Sequence, residues 1–307
     1  MNLFLNVAVV SENQIQKRPL YSVIIPTCAR ANVLEQLLRI LSPQVDASGE
    51  IIVTDDSPSQ KEAKEVVGKF SNVRIISGPR RGRASNRNCG ADSAKGDWLI
   101  FVDDDVVPEG RFIQAYLQSI ADGKADVLEG RTYSDENLDR ERFEAPVNET
   151  GGLLWSCNFA IRRGLFDAIG GFADIFATYG CEDIELQARL ADAGHVIQFV
   201  GPASVYHAPR PRPGVFQMAK RWHATWVLRL LWNERPAGLF VRLPRHIIAY
   251  GIGDALQFKS LRARAILIFH AVFVAGIVAC RLPWWHLRDF RKINAFRRTR
   301  KRDQCAA

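Results

Sequence analysis

Several features are scarce in this chain, and each scarcity narrows what the protein can be. Its 307 residues include 6 cysteines, at positions 28, 89, 157, 181, 280 and 305. No two of them have the spacing of a zinc-ligand pair, so reduced thiols in a cytosolic setting are expected. There is no internal repeat and no low-complexity tract. The apolar segment 1–10 is short and has no basic flank, so a secretory signal is not expected.

Charge is unevenly distributed along the chain. Residues 1–206 contain 21 Lys and Arg against 29 Asp and Glu, a net charge of −8, whereas residues 207–307 contain 20 against 4, a net charge of +16. The chain is long enough for one large domain with an appendage. The basic part suggests an anionic surface as a partner. Because no nucleic-acid-binding motif accompanies this charge, nucleic acid is not expected as a partner.

The most informative stretch is an apolar run followed by three aspartates. Residues 98–102 read WLIFV, which is typical of a buried parallel strand, and Asp103, Asp104 and Asp105 follow directly. Adjacent carboxylates repel one another unless a cation lies among them, and divalent cations prefer such oxygen ligands. In open α/β sheets, ligands bind at the carboxyl ends of the strands, where a metal can stabilise a diphosphate leaving group. The alternative is a solvated acidic turn before Pro108.

Strands and helices alternate through the first half of the chain. Hydrophobic patterning predicts strands at residues 22–27, 51–54, 73–76 and 98–102, and helices at residues 31–41, 61–70 and 84–94. This alternation predicts an α/β fold with a parallel, Rossmann-like sheet and right-handed crossovers. Acidic residues then collect at one sheet edge, and the arginines of segment 82–88 supply the opposite charge.

In this order and spacing, the motifs resemble those of the family-two glycosyltransferases with the GT-A fold. The resemblance covers about residues 20–208 and rests on residues 22–27 (SVIIPT), 52–57 (IVTDDS), 87–91 (RNCGA) with 94–97 (AKGD), 103–105 (DDD), and 170–172 (GGF) with 179–186 (YGCEDIEL). It implies a bacterial surface-polysaccharide type of enzyme. Such an enzyme transfers a sugar from a nucleotide sugar, usually a UDP-sugar, with inversion at the anomeric carbon.

The resemblance also implies which residues bind the nucleotide and the metal. The nucleotide-binding positions are Pro26, Thr27, Arg30, Asp56, Arg83, Arg87, Asp103 and Asp104. Asp56 is favoured over Asp55 for contact with the base. The metal ligands implied are Asp105, Asp103 and His207, with Asp105 the more direct ligand and Asp103 nearer the ribose. The cofactor is Mn²⁺ or Mg²⁺; a histidine ligand favours manganese, although a lone histidine can also be purely structural.

The resemblance identifies Glu182 and Asp183 as the acceptor-site acidic pair, with Asp183 as the general base. An acceptor hydroxyl is a poor nucleophile until a carboxylate takes its proton. Residues 184–190 read as a helix, so both acids would lie in its first turn, where acidic residues also occur for stability alone. Trp155 and Asn158 belong to a segment that lines the donor-sugar and acceptor pocket in the family, although Trp155 could equally lie in the core.

The last hundred residues are predicted to form a separate region. The expected division is a GT-A domain at 18–208 and a basic, helical region at 209–307, joined by a stiff linker at 209–214. Segment 216–232 reads as an amphipathic helix with its apolar positions at Phe216, Ala219, Trp222, Trp226 and Leu230. Segment 265–280 has no charge over 16 residues, short of the roughly 20 needed to span a bilayer. A hairpin of 245–258 and 265–280 on a membrane surface is predicted; the alternative is a buried dimerisation helix.

Together these features predict a metal-dependent inverting hexosyl- or N-acetylhexosaminyltransferase. The expected partners are a UDP-sugar, a saccharide or lipid-linked acceptor, and a membrane surface, with a homodimer as a further option. The expected location is the cytoplasmic face of a bacterial membrane. Two other functions stay open at this point: a non-catalytic, membrane-bound subunit that binds sugar nucleotides, and a nucleotidyltransferase.

Overall fold

The computed structural model describes residues 20–140, 142–176, 180–231, 236–256 and 260–306. The segment 1–10, for which no secretory signal is expected, lies outside these residues. The strands are β1 (Tyr21–Thr27), β2 (Gly49–Asp55), β3 (Val73–Ser77), β4 (Trp98–Val102), β5 (Val106–Pro108), β6 (Val127–Tyr133), β7 (Phe143–Glu144), β8 (Asn158–Arg162), β9 (Ile197–His207) and β10 (Arg210–Pro211). The helices are α1 (Ala31–Leu41), α2 (Lys61–Val67), α3 (Arg83–Ser93), α4 (Phe112–Asp122), α5 (Arg163–Ala168), α6 (Glu182–Asp192), α7 (Val215–Leu231), α8 (Pro236–Leu256) and α9 (Leu261–Ala306).

Eight strands form one sheet in the order β3-β2-β1-β4-β8-β6-β9-β5. The four strands predicted from the sequence, β1 to β4, are mutually parallel, which confirms the Rossmann-like half. The other half is mixed, because β8 runs antiparallel to both β4 and β6, and β5 runs antiparallel to β9. The expectation of a parallel sheet is therefore correct for the first half only. Crossover helices enforce parallel pairing, and β5 instead follows β4 after a three-residue turn.

Successive residues of a strand point to opposite faces of the sheet, so the core consists of one cluster of side chains on each face. Val23 and Ile25 of β1 pack into a cluster with residues of α1, α2 and α4, whereas Ile24 packs into a second cluster with residues of α3 and α6. Helix α3 lies close to the sheet at Gly90, where an added Cβ would be 2.5 Å from Ile24 Cγ2 and 2.7 Å from Thr54 Oγ1. This close approach fixes where the N-terminal end of α3 meets the carboxyl ends of the strands.

The C-terminal helices form a third cluster that includes Phe176 from the first part of the chain. The predicted linker at 209–214 is not free, because β10 within it pairs with β7. Inside the cluster, the buried His223 on α7 lies 2.6 Å from an Asp289 oxygen on α9. The predicted positions Trp226 and Leu230 are not among the described side chains.

Helices α8 and α9 pack together as the predicted hairpin, and Gly251 lies against Ala271 with no room for a Cβ between them. The uncharged segment 265–280 is part of a much longer helix than predicted. Within α9, Arg264–Asp289 is long and apolar enough to cross a membrane by length and composition; it contains an 18-residue stretch with a mean hydropathy of 2.3, of which 28% is buried. Phe269 and Phe273 on this stretch are exposed.

Candidate active site

The site lies at the carboxyl ends of β1, β2 and β4, which are neighbours in the parallel part of the sheet. The three strands end at Thr27, Asp55 and Val102, so the loops that follow them lie side by side. The aspartate triplet follows β4, and Arg30 follows β1. A crevice of this kind is where open α/β sheets bind their ligands.

The middle aspartate of the triplet points into the protein. Asp104 is 1% exposed, accepts a 2.6 Å hydrogen bond from the Thr27 hydroxyl and is paired with Arg30. Burial raises the pKa of Asp104 to about 6, against the lowering effect of Thr27 and Arg30. Pro26 is buried in β1 as well. These contacts disfavour the prediction that the Asp104 side chain binds the nucleotide, since this carboxylate holds the loop after β1 against the triplet.

Asp105 lies beside His207 because β5 and β9 pair with Val106 opposite His207. The His207 Nε2 atom is 3.8 Å from Asp105 Oδ1, and the Asp105 Oδ1 atom is buried and has no hydrogen-bond partner among the described residues. The His207 Nδ1 atom lies 2.9 Å from the carbonyl oxygen of Ala208. A carbonyl only accepts, so Nδ1 carries the proton, and in the neutral ring Nε2 presents its lone pair to Asp105. A carboxylate oxygen and an imidazole lone pair facing each other fit a divalent cation of the manganese type.

Asp103 is paired with an arginine. Its Oδ1 atom accepts a 2.5 Å hydrogen bond from Arg87, and no three acidic, histidine or cysteine side chains converge as a metal cluster among the described residues. Burial would raise the pKa of Asp103, but the charges of Arg87 and then Arg83 outweigh it and hold this pKa below its usual value. Of the three predicted ligands, the structure brings together Asp105 and His207.

Arg87 joins the two acidic motifs. Its side chain is 2% exposed and donates to Asp103 and, at 2.9 Å, to Glu182 Oε1. The two carboxylates outweigh the effect of burial and raise the pKa of Arg87, so the guanidinium stays charged. The buried Arg87 guanidinium lies between the two carboxylates and so links the end of β4 to the start of α6. Glu182, 4% exposed, is thereby assigned to positioning Arg87.

Asp183 is the partly exposed member of the acidic pair. Burial, and then the charge of Glu182, raise the pKa of Asp183 to about 6, and the Ile184 N–H, Arg87 and Ser156 act in the opposite direction. The Asp183 Oδ2 atom is 3.5 Å from both the amide nitrogen and the hydroxyl oxygen of Ser156. A half-buried carboxylate with a raised pKa at the edge of a site is suited to accept a proton near neutral pH.

The residue before the acidic pair has an unusual backbone. Cys181 has a φ of 73°, in the left-handed region that a residue with a Cβ seldom adopts. Burial, together with the charges of Asp183 and Glu182, raises the pKa of the Cys181 thiol to about 12. A raised pKa favours the neutral thiol, which is a poor nucleophile.

The first two strands provide the remaining predicted nucleotide residues. Asp56 is half-buried and accepts a 2.9 Å hydrogen bond from the Arg80 N–H, whereas Asp55 is fully buried and bonds to the Ser57 N–H at 2.8 Å. The preference for Asp56 over Asp55 agrees with this exposure. Arg83 is exposed in the first turn of α3.

The two predicted pocket residues have different surroundings. Trp155 is half-buried, donates from Nε1 to the Val147 carbonyl at 3.1 Å and lines a large cleft. Asn158 is 1% exposed, accepts from the Tyr116 hydroxyl at 2.7 Å and donates to the Arg131 and Ala203 carbonyls. The burial of Asn158 and the use of its polar atoms inside the core disfavour the prediction that it lines the sugar pocket.

Sequence reasoning missed two residues that hold the site's loops. Asn88 donates a 2.8 Å hydrogen bond to the Phe172 carbonyl and accepts a 2.9 Å hydrogen bond from the Phe172 N–H. The neighbouring Gly171, at a φ of 62°, has no space for a Cβ. The Phe172 ring lies 5.6 Å from the Arg87 guanidinium carbon. The buried Glu129 accepts a 2.6 Å hydrogen bond from Gly152 N–H. In the sequence, only the glycine pairs at 151–152 and 170–171 indicated that the chain makes close contacts here.

Comparison with known proteins agrees with this geometry. The model of the family described as glycosyl transferase family 2 matches residues 22–182, more than half of the chain. An uncharacterized glycosyltransferase of Haemophilus influenzae is 28% identical over 184 residues, covering 55% of this chain and 61% of its own length. The O-antigen chain rhamnosyltransferase of Salmonella anatum is 24% identical over 239 residues, covering 66% and 74%. A pre-mycofactocin glycosyltransferase of Mycobacterium tuberculosis is 26% identical, and the match spans 43% of it, so the chain spans about half the length of some relatives.

Solved structures share the fold. The mannosyltransferase of Pyrobaculum calidifontis in complex with GDP-Man and Mn²⁺ superposes with a TM-score of 0.56 at 16% identity, covering 89% of this chain and 87% of that one. Staphylococcus aureus TarS in complex with UDP-GlcNAc gives 0.54 at 18% identity, covering 90% and 89%. The chain has the GT-A fold. More particularly, it belongs to glycosyl transferase family 2.

Proposed function

We propose that the protein is a metal-dependent inverting glycosyltransferase that uses a nucleotide sugar, in the first place a UDP-sugar, to extend a saccharide or lipid-linked saccharide. The observation that supports this most is the Arg87 bridge. It brings the nucleotide-side Asp103 and the acceptor-side Glu182 into one site, with Asp183 directly beside them. Family membership disfavours both the nucleotidyltransferase and the non-catalytic subunit considered from the sequence.

The chemistry assigned to the chain's own residues is a single displacement. Asp183 accepts the proton of the acceptor hydroxyl while that oxygen attacks the anomeric carbon, and the bond from this carbon to the nucleoside diphosphate breaks on the opposite face. Glu182 and Arg87 keep Asp183 in place relative to the triplet. Arg83, exposed at the start of α3, is positioned to bind phosphate oxygens together with the helix N-terminus.

The cation is assigned to Asp105 and His207, whose facing acceptor atoms fit it. These two residues would hold a divalent ion, which would supply positive charge to stabilise the leaving diphosphate. Mn²⁺ suits the imidazole better than Mg²⁺ does. A neighbour of the same fold was solved with Mn²⁺, which is in keeping with this assignment.

The acceptor and the location are proposed from the C-terminal region. The net charge of +16 over residues 207–307 and the exposed apolar side chains of α9 favour attachment to the cytoplasmic face of a bacterial membrane. We retain the division into a domain at 18–208 and a helical region at 209–307. A bacterial polysaccharide or glycoconjugate under construction suits this setting, and a homodimer formed through α9 is the competing use of its apolar face.

The first test is nucleotide release from a panel of donors. Full-length protein in detergent is incubated with UDP-sugars and with GDP-mannose, once with Mn²⁺ and once with EDTA. Manganese-dependent release of UDP from one donor is the expected result. Release of GDP alone would replace the UDP assignment, and failure to bind either nucleotide with Mn²⁺ would overturn the proposed function.

The rate should depend on pH through Asp183. Its folded pKa, raised to about 6, means that the base form is present above that pH and is lost as the pH falls through it. Because only the ionised form accepts a proton, kcat/KM should fall roughly tenfold per pH unit below about 6. Nucleotide affinity with Mn²⁺ is measured at each pH as the control, since acid also releases metals. A rate that stays constant to about pH 4.5 would contradict the assignment.

A further inference from the structure

Arg30 joins two members of the aspartate triplet. Its Nη1 atom donates a 2.8 Å hydrogen bond to Asp105 Oδ2, and its Nη2 atom donates to Asp104 Oδ1. One planar guanidinium therefore spans two adjacent carboxylates, an arrangement that suits the forked geometry of arginine. The family resemblance assigned Arg30 to the nucleotide, whereas these contacts of its guanidinium are with the triplet.

Asp104 holds the inner end of this bridge. Its side chain is buried, and its second oxygen, Oδ2, accepts the 2.6 Å hydrogen bond from the Thr27 hydroxyl at the end of β1. Both oxygens of Asp104 are therefore used, one by β1 and one by Arg30. A buried carboxylate that is bonded at both oxygens is rigid, so it fixes the direction of the guanidinium.

The backbone of Arg30 is held on both sides. Its carbonyl oxygen accepts a 3.0 Å hydrogen bond from the Leu34 N–H at the start of α1. The preceding residue, Ala29, donates a 2.6 Å hydrogen bond from its N–H to the Ser57 hydroxyl, and its φ of 53° is one that a residue with a Cβ seldom adopts. The loop therefore presents the Arg30 side chain to the triplet from a defined backbone position.

The outer end of the bridge determines how Asp105 is oriented. Because Arg30 bonds Oδ2, the other oxygen, Oδ1, is the one that lies 3.8 Å from His207 Nε2. The terminal torsion of an aspartate is broad, so the carboxylate would rotate if neither oxygen were bonded. In metal sites, carboxylate ligands are held by further hydrogen bonds from neighbouring groups. Arg30 supplies such a hydrogen bond to Asp105.

We propose that Arg30 is a positioning residue for the cation site: fixed by Asp104, it holds Asp105 so that Oδ1 faces His207. The inference rests on the proposed function, in which Asp105 and His207 hold the cation. It also gives the buried middle aspartate of the triplet a role, which it performs through Arg30.

Charge and orientation act in opposite directions here. As a cation, Arg30 repels a second cation beside Asp105, whereas as a donor it keeps the ligand oxygen in place. Asp104 compensates the charge of Arg30, since the two form an ion pair, and this reduces the repulsion. We therefore expect that removal of the positive charge of Arg30 weakens the binding of a divalent cation, although charge alone would strengthen it.

The test measures Mn²⁺ binding to the full-length protein from the electron paramagnetic resonance signal of free Mn²⁺. Arg30→Ala should bind Mn²⁺ roughly tenfold or more weakly than the wild type, the usual cost of losing a partner of a metal ligand. Arg30→Lys keeps the charge and a single donor group, so its affinity should lie between the two. Arg81→Ala, which removes an exposed arginine paired with Asp174, is the matched control and should bind like the wild type.

A second variant tests whether the middle aspartate acts through Arg30. Asp104→Asn should weaken Mn²⁺ binding in the wild-type background and have no further effect in Arg30→Ala, because the residue that it holds is already removed. Thermal unfolding of each variant identifies any loss of affinity that comes from a loss of folded protein. All titrations are repeated with UDP at a concentration that saturates each variant.

Equal Mn²⁺ affinity of Arg30→Ala and the wild type would overturn the inference. Tighter binding by Arg30→Ala would overturn it as well, because Arg30 would then be a competitor of the cation. An equal loss of affinity in Arg81→Ala would have the same consequence, since the ion-pair partner of that arginine lies outside the triplet. In each of these cases the wild type binds Mn²⁺, so the proposed function stands. Failure of the wild type to bind Mn²⁺, with or without UDP, would instead remove the cation site and the proposed function together.

Discussion

Asp183→Asn should reduce sugar transfer by about a thousandfold while leaving manganese-dependent UDP binding almost unchanged. The amide keeps the shape of the side chain and cannot accept a proton from the acceptor hydroxyl. Asp183 contacts Ser156 and its own helix start, not the aspartate triplet, so the nucleotide side should not be disturbed. Initial rates with the donor found in the panel, and UDP titrations of the same preparation, measure the two quantities.

Two variants make this result specific. Asp167→Asn changes an exposed carboxylate on α5 and should have no effect. Glu182→Gln removes the charge that holds Arg87, so it should weaken both transfer and UDP binding. Normal turnover in Asp183→Asn would refute the base assignment, and an equal loss of UDP binding would move Asp183 to the nucleotide side.

Asp105→Asn should weaken manganese-dependent UDP binding by about a hundredfold or more. Replacing partners beyond the direct ligands of a metal commonly costs about 10–100-fold in affinity, and a direct ligand should cost at least as much. The change removes the buried Oδ1 charge beside His207 and the 2.8 Å ion pair with Arg30. UDP titrations of the two proteins with Mn²⁺, and again with EDTA, test this.

The EDTA titration is the decisive comparison. With the metal removed, wild type and Asp105→Asn should bind UDP with similarly low affinity. Asp122→Asn, at an exposed carboxylate at the end of α4, should match the wild type in both conditions. Unchanged affinity of Asp105→Asn with Mn²⁺ would refute its role as a ligand. His207→Ala should reduce the preference for Mn²⁺ over Mg²⁺, since the imidazole is the softer ligand.

Local patterns predicted the first half of the fold well. Helix α1 was predicted over the residues it occupies, and so was β4; both have strong periodicity and clear ends. The carboxylates at the ends of β2 and β4 lie at one sheet edge because parallel neighbouring strands end together. Asp56 was preferred over Asp55, and burial of Asp55 agrees with that choice.

The predictions that the structure disfavours concern residues whose surroundings come from distant parts of the chain. Asn158 was placed in a pocket, but Tyr116 and two carbonyls of other strands surround it. Asp104 was placed on the nucleotide, but its neighbour Thr27 comes from β1. The sequence alone does not distinguish a short polar residue at a strand end that faces solvent from one that faces the core. Packing against distant segments decides between the two.

The sequence by itself determined the family, the parallel half of the sheet, and the acidic motifs, because each depends on residue types at short spacing. Only the tertiary structure decided that Arg87 joins Asp103 to Glu182, that His207 lies opposite Val106 and so faces Asp105, and that basic loop residues and apolar helices enclose one cleft. The physical reason is the separation along the chain over which each effect acts. Periodicity and strand-end chemistry act over a few residues, whereas ion pairs, sheet register and clefts join segments that only the folded chain brings into contact.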